Sequence, residues 1–394
     1  MLLVLSVALA IAAAHLLYMR QDGDLTVQAQ LNERFAERPI AVAFEKYPRL
    51  RPPLYPMALW AARRVGLSAP AFQLAVFDAL LIGLALYGRR FLRAVHPAFL
   101  VLGFAVAHFN HVNLYQRTAE TLFAPLLFVF AVLLWRYRET SKGAGWLGAV
   151  VSALCVTRHF GLFLAVPLAA AHVALRRATE RRRRLIHLAV VLAVALAPIG
   201  YWMWITHDQT GLWTGVDRTR ERDLPESVAH WKDLEGFDDH LRLTATTLVV
   251  DFFSPRVHGA LAIVTLPHRA TAVEWGAIAI AFAAAAAFRA GQRGGWTRDS
   301  RFPSPARTLA EVAAAYLVLT LALWTVGNND PIHTRFLFPM YPLLWVLAFH
   351  AYDAVKRGAS WWERLPWLLL YAGFVAVQAS RSWRAEALPV RYLW

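Results

Sequence analysis

The 394-residue chain contains one cysteine, few charges of either sign, and a shortage of acid relative to base. Cys155 is alone and set in an apolar run, which excludes an intramolecular disulfide framework and reads as a small buried side chain. Charged residues make up only 17% of the chain against 58% hydrophobic, a balance that excludes a solvated globular domain and points to a polytopic membrane protein. Asp+Glu number 26 against 41 Lys+Arg. In a soluble chain that excess would suggest nucleic acid. Here much of it sits in short loops between apolar runs, the topology signal of a membrane protein, so no nucleic-acid partner is expected. The sequence carries no internal repeat and no low-complexity tail.

The apolar runs come next. A spanning helix needs ~20 apolar residues to cross ~30 Å of hydrocarbon, fewer where the bilayer thins or flanking residues snorkel. On that basis the chain is all-α with about eleven transmembrane helices. Their cores are Leu2 to Tyr18, Ala69 to Tyr87, Pro97 to Val112, Thr121 to Trp135, Gly145 to Thr157, Gly161 to Leu175, Ile186 to Ile205, Ala272 to Phe288, Leu309 to Val326, Phe336 to Tyr352 and Leu365 to Ala379. The first run lacks a basic leader and reads as a retained helix. The loops on one side collect Arg89, Arg90, Arg93, Arg136, Arg138, Lys142, Arg176, Arg181 to Arg184, Arg307, Lys356 and Arg364. By the positive-inside rule that side is cytoplasmic, with the N-terminus, in a bacterial-type inner or plasma membrane.

The chain forms a single integral membrane domain, and two long segments fall on the outer side: residues 20–64 and residues 206–269. The first ends in Leu54, Met57, Ala58, Leu59, Ala61 and Ala62 before Arg63-Arg64, a run too short to span that reads as an interfacial helix. It also carries Asp22 and Asp24, acids at a membrane edge that are costly unless hydrated, paired or functional. Alternating the spans brings Arg117 with Glu120, Arg158-His159, and His333 with Arg335 to the same side. Chemistry that joins an anionic lipid-linked donor to an acceptor needs a carboxylate for the acceptor's proton and cations for the phosphate, and these residue types gather there. The histidines at 108, 111, 159 and 333 have no zinc-like spacing and read as interfacial hydrogen-bonding groups. Asp78, inside a predicted core, reads as a polar contact between helices.

Five segments in order carry a family resemblance: Gly23-Asp24 after the first helix, Arg51-Pro-Pro-Leu-Tyr-Pro56, Thr118-Ala-Glu120, Thr157-Arg158, and Arg335-Phe-Leu-Phe-Pro339 with Pro342. Together they resemble the GT-C superfamily of polytopic membrane glycosyltransferases, in the branch of protein O-mannosyltransferases and lipid A aminoarabinose transferases. The resemblance implies a polyprenyl-phosphate sugar donor within the membrane lipid and a glycan, lipid or protein acceptor. It further implies inversion at the anomeric carbon and a first-loop acid as general base. Asp24 matches that acid, with Asp22 the alternative, because the tyrosine that often follows it in the family is replaced here by Leu25-Thr-Val-Gln-Ala29. Glu120 matches the family's second acidic position. Arg335 and Arg158 are the phosphate-facing candidates, with Arg117, Lys46, Arg51 and His333 behind them and Tyr55 as a further loop residue. No cofactor is required; a divalent cation, Mg²⁺ or Mn²⁺, would fall to Asp24 and Glu120. A solute or lipid transporter, a non-catalytic assembly subunit, and another lipid-carrier transferase such as a ligase or polymerase are the alternative readings.

Overall fold

The computed structural model describes residues 2–19, 52–107, 110–111, 114, 118–176, 180–211, 213, 305–327, 334–356 and 361–384, and the regular structure in them is helical throughout, without a strand. The elements are α1 (Leu2–Met19), α2 (Leu54–Arg64), α3 (Ala69–Phe91), α4 (Pro97–Ala105), α5 (Glu120–Thr140), α6 (Ala144–Thr157) and α7 (His159–Ala174). They are followed by α8 (Arg181–Thr210), α9 (Pro305–Gly327), α10 (Thr334–Leu337), a 3₁₀ turn (Phe338–Met340), α11 (Tyr341–Lys356) and α12 (Trp361–Arg384).

Among the described residues, four helices are long and apolar enough to cross a membrane: Ala69–Phe91, Glu120–Thr140, Arg181–Asp208 and Pro305–Ala322. The predicted cores from Leu2, Gly145, Gly161 and Leu365 are also helical, but shorter in their apolar stretch, and the core from Ala272 lies outside the described residues. Much of α8 presents apolar side chains outward, with Leu185, Ile186, Val190, Val194 and Leu196 all exposed. A contiguous apolar face of that kind is what a bilayer covers.

Helix ends follow local chemistry. Ser68 caps α3, its Oγ accepting the Ala71 N–H at 3.3 Å, while Pro70 sits in the first turn and Arg89 and Arg90 close the last, where the helix dipole favours cations. α5 opens on Glu120 and closes near Arg138 for the same electrostatic reason. In α2, Tyr55, Leu59 and Ala62 are buried while Met57 and Trp60 face outward, the one-sided pattern expected of a helix lying against a surface.

The core is built from rings and aliphatics shared by many helices. Phe104 of α4 stacks on Phe77 of α3 at 5.9 Å and on Tyr341 of α11 at 5.2 Å. α6 packs along α8, α7 and α5, while α4 sits between α1 and α3.

Two runs expected to be single spans are broken. The helix over Pro97 to Val112 stops at Ala105. There the Asn110 side-chain amide donates to the Phe104 carbonyl at 2.5 Å and His111 Nε2 donates to the Ala105 carbonyl at 2.9 Å, so polar side chains from beyond the helix occupy its orphan carbonyls. The run from Phe336 to Tyr352 begins as the one-turn α10, passes through the 3₁₀ turn and becomes regular only at Tyr341, because Pro339 and Pro342 each remove a backbone donor.

Candidate functional site

The bundle has two polar ends. One collects the ends of α5, α7 and α9. Glu311 of α9 receives Arg138 of α5 in a close ion pair and Arg307 at 3.0 Å, with His172 of α7 at 3.6 Å. Arg138 also donates to Thr308 at 3.3 Å. Beside them Arg176 donates to the carbonyls of Tyr137 and Glu139 at 2.8 and 3.1 Å, and the Tyr137 hydroxyl meets His187 of α8 at 2.9 Å. Asp353 of α11, fully buried, accepts the Ala94 and Val95 N–H groups and so fixes the loop after α3.

The opposite end carries the candidate site, and it is assembled where helices start, stop or break. α6 ends at Thr157, Arg158 is extended (φ −152°, ψ 137°), and α7 begins at His159. This tight reversal depends on Gly161. A Cβ there would stand 2.5 Å from the carbonyl carbon and oxygen of Leu154, so any side chain would push the two helices apart. The Arg158 N–H donates to Leu154 at 3.0 Å and the Gly161 N–H to the Arg158 carbonyl at 2.8 Å, which closes the turn with Arg158 at its apex.

At that apex Arg158 Nη1 forms an ion pair with Glu120 Oε1, 2.9 Å away. The glutamate side chain is 4% exposed and the arginine 22% exposed, so the carboxylate is withdrawn from water and the guanidinium stands between it and the surface. The Arg158 guanidinium carbon also lies 5.5 Å from the centre of the Phe336 ring, within cation–π range. Phe336 belongs to α10, the turn that carries Arg335. Its carbonyl accepts the Tyr316 hydroxyl of α9 at 2.6 Å. Tyr316 in turn packs against Phe160 at 4.7 Å, and Phe160 against Phe123 of α5 at 6.4 Å.

Tyr55, from the Pro-Pro-Leu-Tyr segment, is buried near the start of α5. It packs in a small cluster with Leu59, Ala69 and Phe72, against Ala119 and Leu122 on either side of Glu120. Gln73, fully buried, donates its side-chain amide to the Tyr55 hydroxyl. Gln73 Oε1, Thr118 Oγ1, Thr121 Oγ1 and His159 Nε2 are buried with no hydrogen-bond partner among the described residues. Such atoms are costly to leave unmatched, at about 1–3 kcal/mol each; the glutamine oxygen accepts, the threonine hydroxyls donate and accept, and the imidazole nitrogen does one or the other by tautomer.

Of the residues singled out from the sequence, the structure therefore brings together Tyr55, Glu120 and Arg158, with the backbone of Arg335 one residue from Phe336. Asp22, Asp24, Lys46, Arg51, Arg117 and His333 lie outside the described residues. His111, read as an interfacial group, is instead fully buried and bonded to the Ala105 carbonyl, and His108 and His333 lie outside the described residues. Asp78 lies between α3 and α1, its Oδ2 3.6 Å from His15, a helix-to-helix contact as read from the sequence.

Among the described residues no group of three or more His, Cys, Asp or Glu side chains converges; Glu120 faces a guanidinium at 2.9 Å, and Asp24, its candidate partner for a divalent cation, lies outside them. The residues that sequence reasoning missed are Phe336, Tyr316, Gln73 and Gly161. Phe336 and Gly161 lie beside the motif residues, but Gln73 and Tyr316 sit in apolar runs and read as core.

No family model matches the chain, and no curated protein or solved structure matches it.

Proposed function

We propose that the protein is an integral membrane glycosyltransferase of GT-C type, with about eleven spans, that moves a sugar from a polyprenyl-phosphate carrier to a glycan, lipid or protein acceptor on the extracytoplasmic face. The observation that carries this reading is the Glu120–Arg158 pair, with Tyr55 buried nearby and the Arg335-Phe336 turn against it. Four sequence segments far apart in the chain meet at the end of the bundle opposite the basic cluster. A half-shielded guanidinium in a low-dielectric setting suits a phosphate oxygen, which it binds more strongly than in water.

In this reading the reaction is a single displacement. A first-loop aspartate, Asp24 or Asp22, accepts the proton of the acceptor hydroxyl as its oxygen bonds to the anomeric carbon from the face opposite the phosphate. The bond from the anomeric carbon to the phosphate oxygen breaks, and its electron pair stays on that oxygen. The products are an inverted glycoside and the polyprenyl phosphate. Arg158, with Arg335, faces the charge that grows on the departing phosphate, so no strong general acid is needed. Glu120 holds Arg158 in place and keeps its charge from being buried unpaired. No step runs through a metal.

The test is transfer from a panel of polyprenyl-phosphate sugars to membrane-extract acceptors, comparing wild type with Asp22→Asn, Asp24→Asn, Arg158→Gln and Arg335→Ala. Loss in one aspartate variant and in the arginine variants is the expected result. Full transfer by both aspartate variants removes the base assignment. Movement of a labelled solute by purified protein in vesicles, with no sugar transfer from any donor, replaces the reading with that of a transporter.

A further inference from the structure

We infer that Tyr316 is the positioning residue of the arginine site, acting through Phe336; the inference rests on the reading of Arg158 as the phosphate-facing group. The backbone gives the reason. α10 has only four residues, too few to hold themselves as a helix. Pro339 lies three residues after Phe336 and has no N–H to offer a tightened turn. The Tyr316 hydroxyl donates to the Phe336 carbonyl at 2.6 Å. Tyr316 is 2% exposed, so no water substitutes on its side.

Two contacts connect this bond to Arg158. Through the carbonyl, Tyr316 sets where the Phe336 ring lies, and that ring is the surface 5.5 Å beneath the guanidinium. Through its own ring it supports Phe160 at 4.7 Å, two residues beyond Arg158 in the turn. Glu120 meets the guanidinium at Nη1, 2.9 Å away, and the Phe336 ring meets it through the guanidinium carbon at 5.5 Å. The Phe336 ring sets the plane, and the Tyr316 hydroxyl sets the ring. Removing the hydroxyl leaves the charge of Arg158 intact but loosens its orientation. A planar donor fork depends on orientation to meet a phosphate with two nitrogens. The same bond seats the turn that carries Arg335.

The experiment measures binding of a polyprenyl monophosphate to purified full-length protein in lipid nanodiscs, with the matching polyprenol as the probe without phosphate. The variants are Arg158→Gln, Tyr316→Phe, Phe336→Leu, Phe336→Tyr and Thr320→Val. Thr320 donates to the Tyr316 carbonyl at 2.8 Å and so disturbs the same helix without touching Phe336. Wild type should bind the phosphate in preference to the alcohol, and Arg158→Gln should lose that preference. Tyr316→Phe and Phe336→Leu should each weaken phosphate binding about tenfold, the effect of one oriented hydrogen bond, while alcohol binding stays constant. Phe336→Tyr, which keeps a ring, should restore affinity, and Thr320→Val should lower only the melting temperature. If Tyr316→Phe does not fold, the pair of Phe336 variants decides the matter alone. Wild-type affinity in Tyr316→Phe and Phe336→Leu, with Arg158→Gln impaired, overturns the positioning role and leaves the function standing. Equal binding of phosphate and alcohol by wild type overturns both.

Discussion

The two ends of the bundle use charge in opposite ways. At the basic end the charged side chains come from within or just beyond the end turns of regular helices, and they tie α5, α7 and α9 to one another through Glu311. At the other end the side chains around the Glu120–Arg158 pair mostly stand at interruptions: Arg158 between two helices, Phe336 in a one-turn helix, Glu120 on the first residue of α5, and Tyr55 on a short surface helix, with Gln73 and Tyr316 reaching in from regular helices. Irregular backbone at membrane depth survives only when buried in protein or lining a polar cavity, because its carbonyls and N–H groups have no water to turn to. The regular end is thus the scaffold, and the interrupted end is where the chain has given up helical hydrogen bonds to present side chains.

The widest separation between the ends should appear in activity. Arg158→Gln should lower sugar transfer by about 10²–10³-fold, the usual effect of deleting one donor to developing charge. Arg138→Gln at the other end should change the rate less than about twofold, while lowering the melting temperature. Equal losses in the two variants would mean that the ends are not functionally distinct.

Stability should respond next. Glu120→Ala strips a partly buried guanidinium of its carboxylate and should cost about 3 kcal/mol. Chemical denaturation in mild detergent measures it, and a change below about 0.5 kcal/mol would show that the pair contributes little to the fold. Gly161→Ala should cost about 1–3 kcal/mol by forcing α6 from α7 and should also impair transfer, since Arg158 rides on that turn. Retained activity in a destabilised protein would detach the glycine from the site. The smallest effect belongs to Glu311→Gln, about 1–2 kcal/mol, because its side chain is 30% exposed and the solvent screens the network. That loss should shrink further at high salt, while the loss from Glu120→Ala should not.

How much of this was legible beforehand depends on the kind of signal. Apolar length and flanking arginines place most of the helices, since α3, α5, α8 and α9 are long runs with basic ends. Length alone does not reveal the stop at Ala105, because it is set by Asn110 and His111 folding back onto carbonyls, a tertiary event. The interruption around Pro339 was present in the sequence as two missing N–H groups, yet a hydropathy count passes over them. Arg158 and Glu120 are legible as charges at helix ends. Their pairing is not, because it requires the turn at Gly161 to bring α6 and α7 within carbonyl contact. Tyr316 and Gln73 had no visible signal at all: a tyrosine or glutamine in an apolar run acquires its role only from what faces it across the bundle.

α8 has one more consequence. Its 30 residues make a rod of about 45 Å, while the hydrocarbon of an ordinary bilayer is about 30 Å thick. Set across such a bilayer, the helix must tilt or overhang, and each ångström of mismatch carries a fraction of a kcal/mol. Its far end is finished as a solid tip: Gly211 turns left-handed, its N–H returns to the His207 carbonyl at 2.8 Å, and the Trp213 ring stacks on His207 at 4.2 Å. α6, the helix that ends at Arg158, packs along this rod and so lies directly against the element that meets the mismatch.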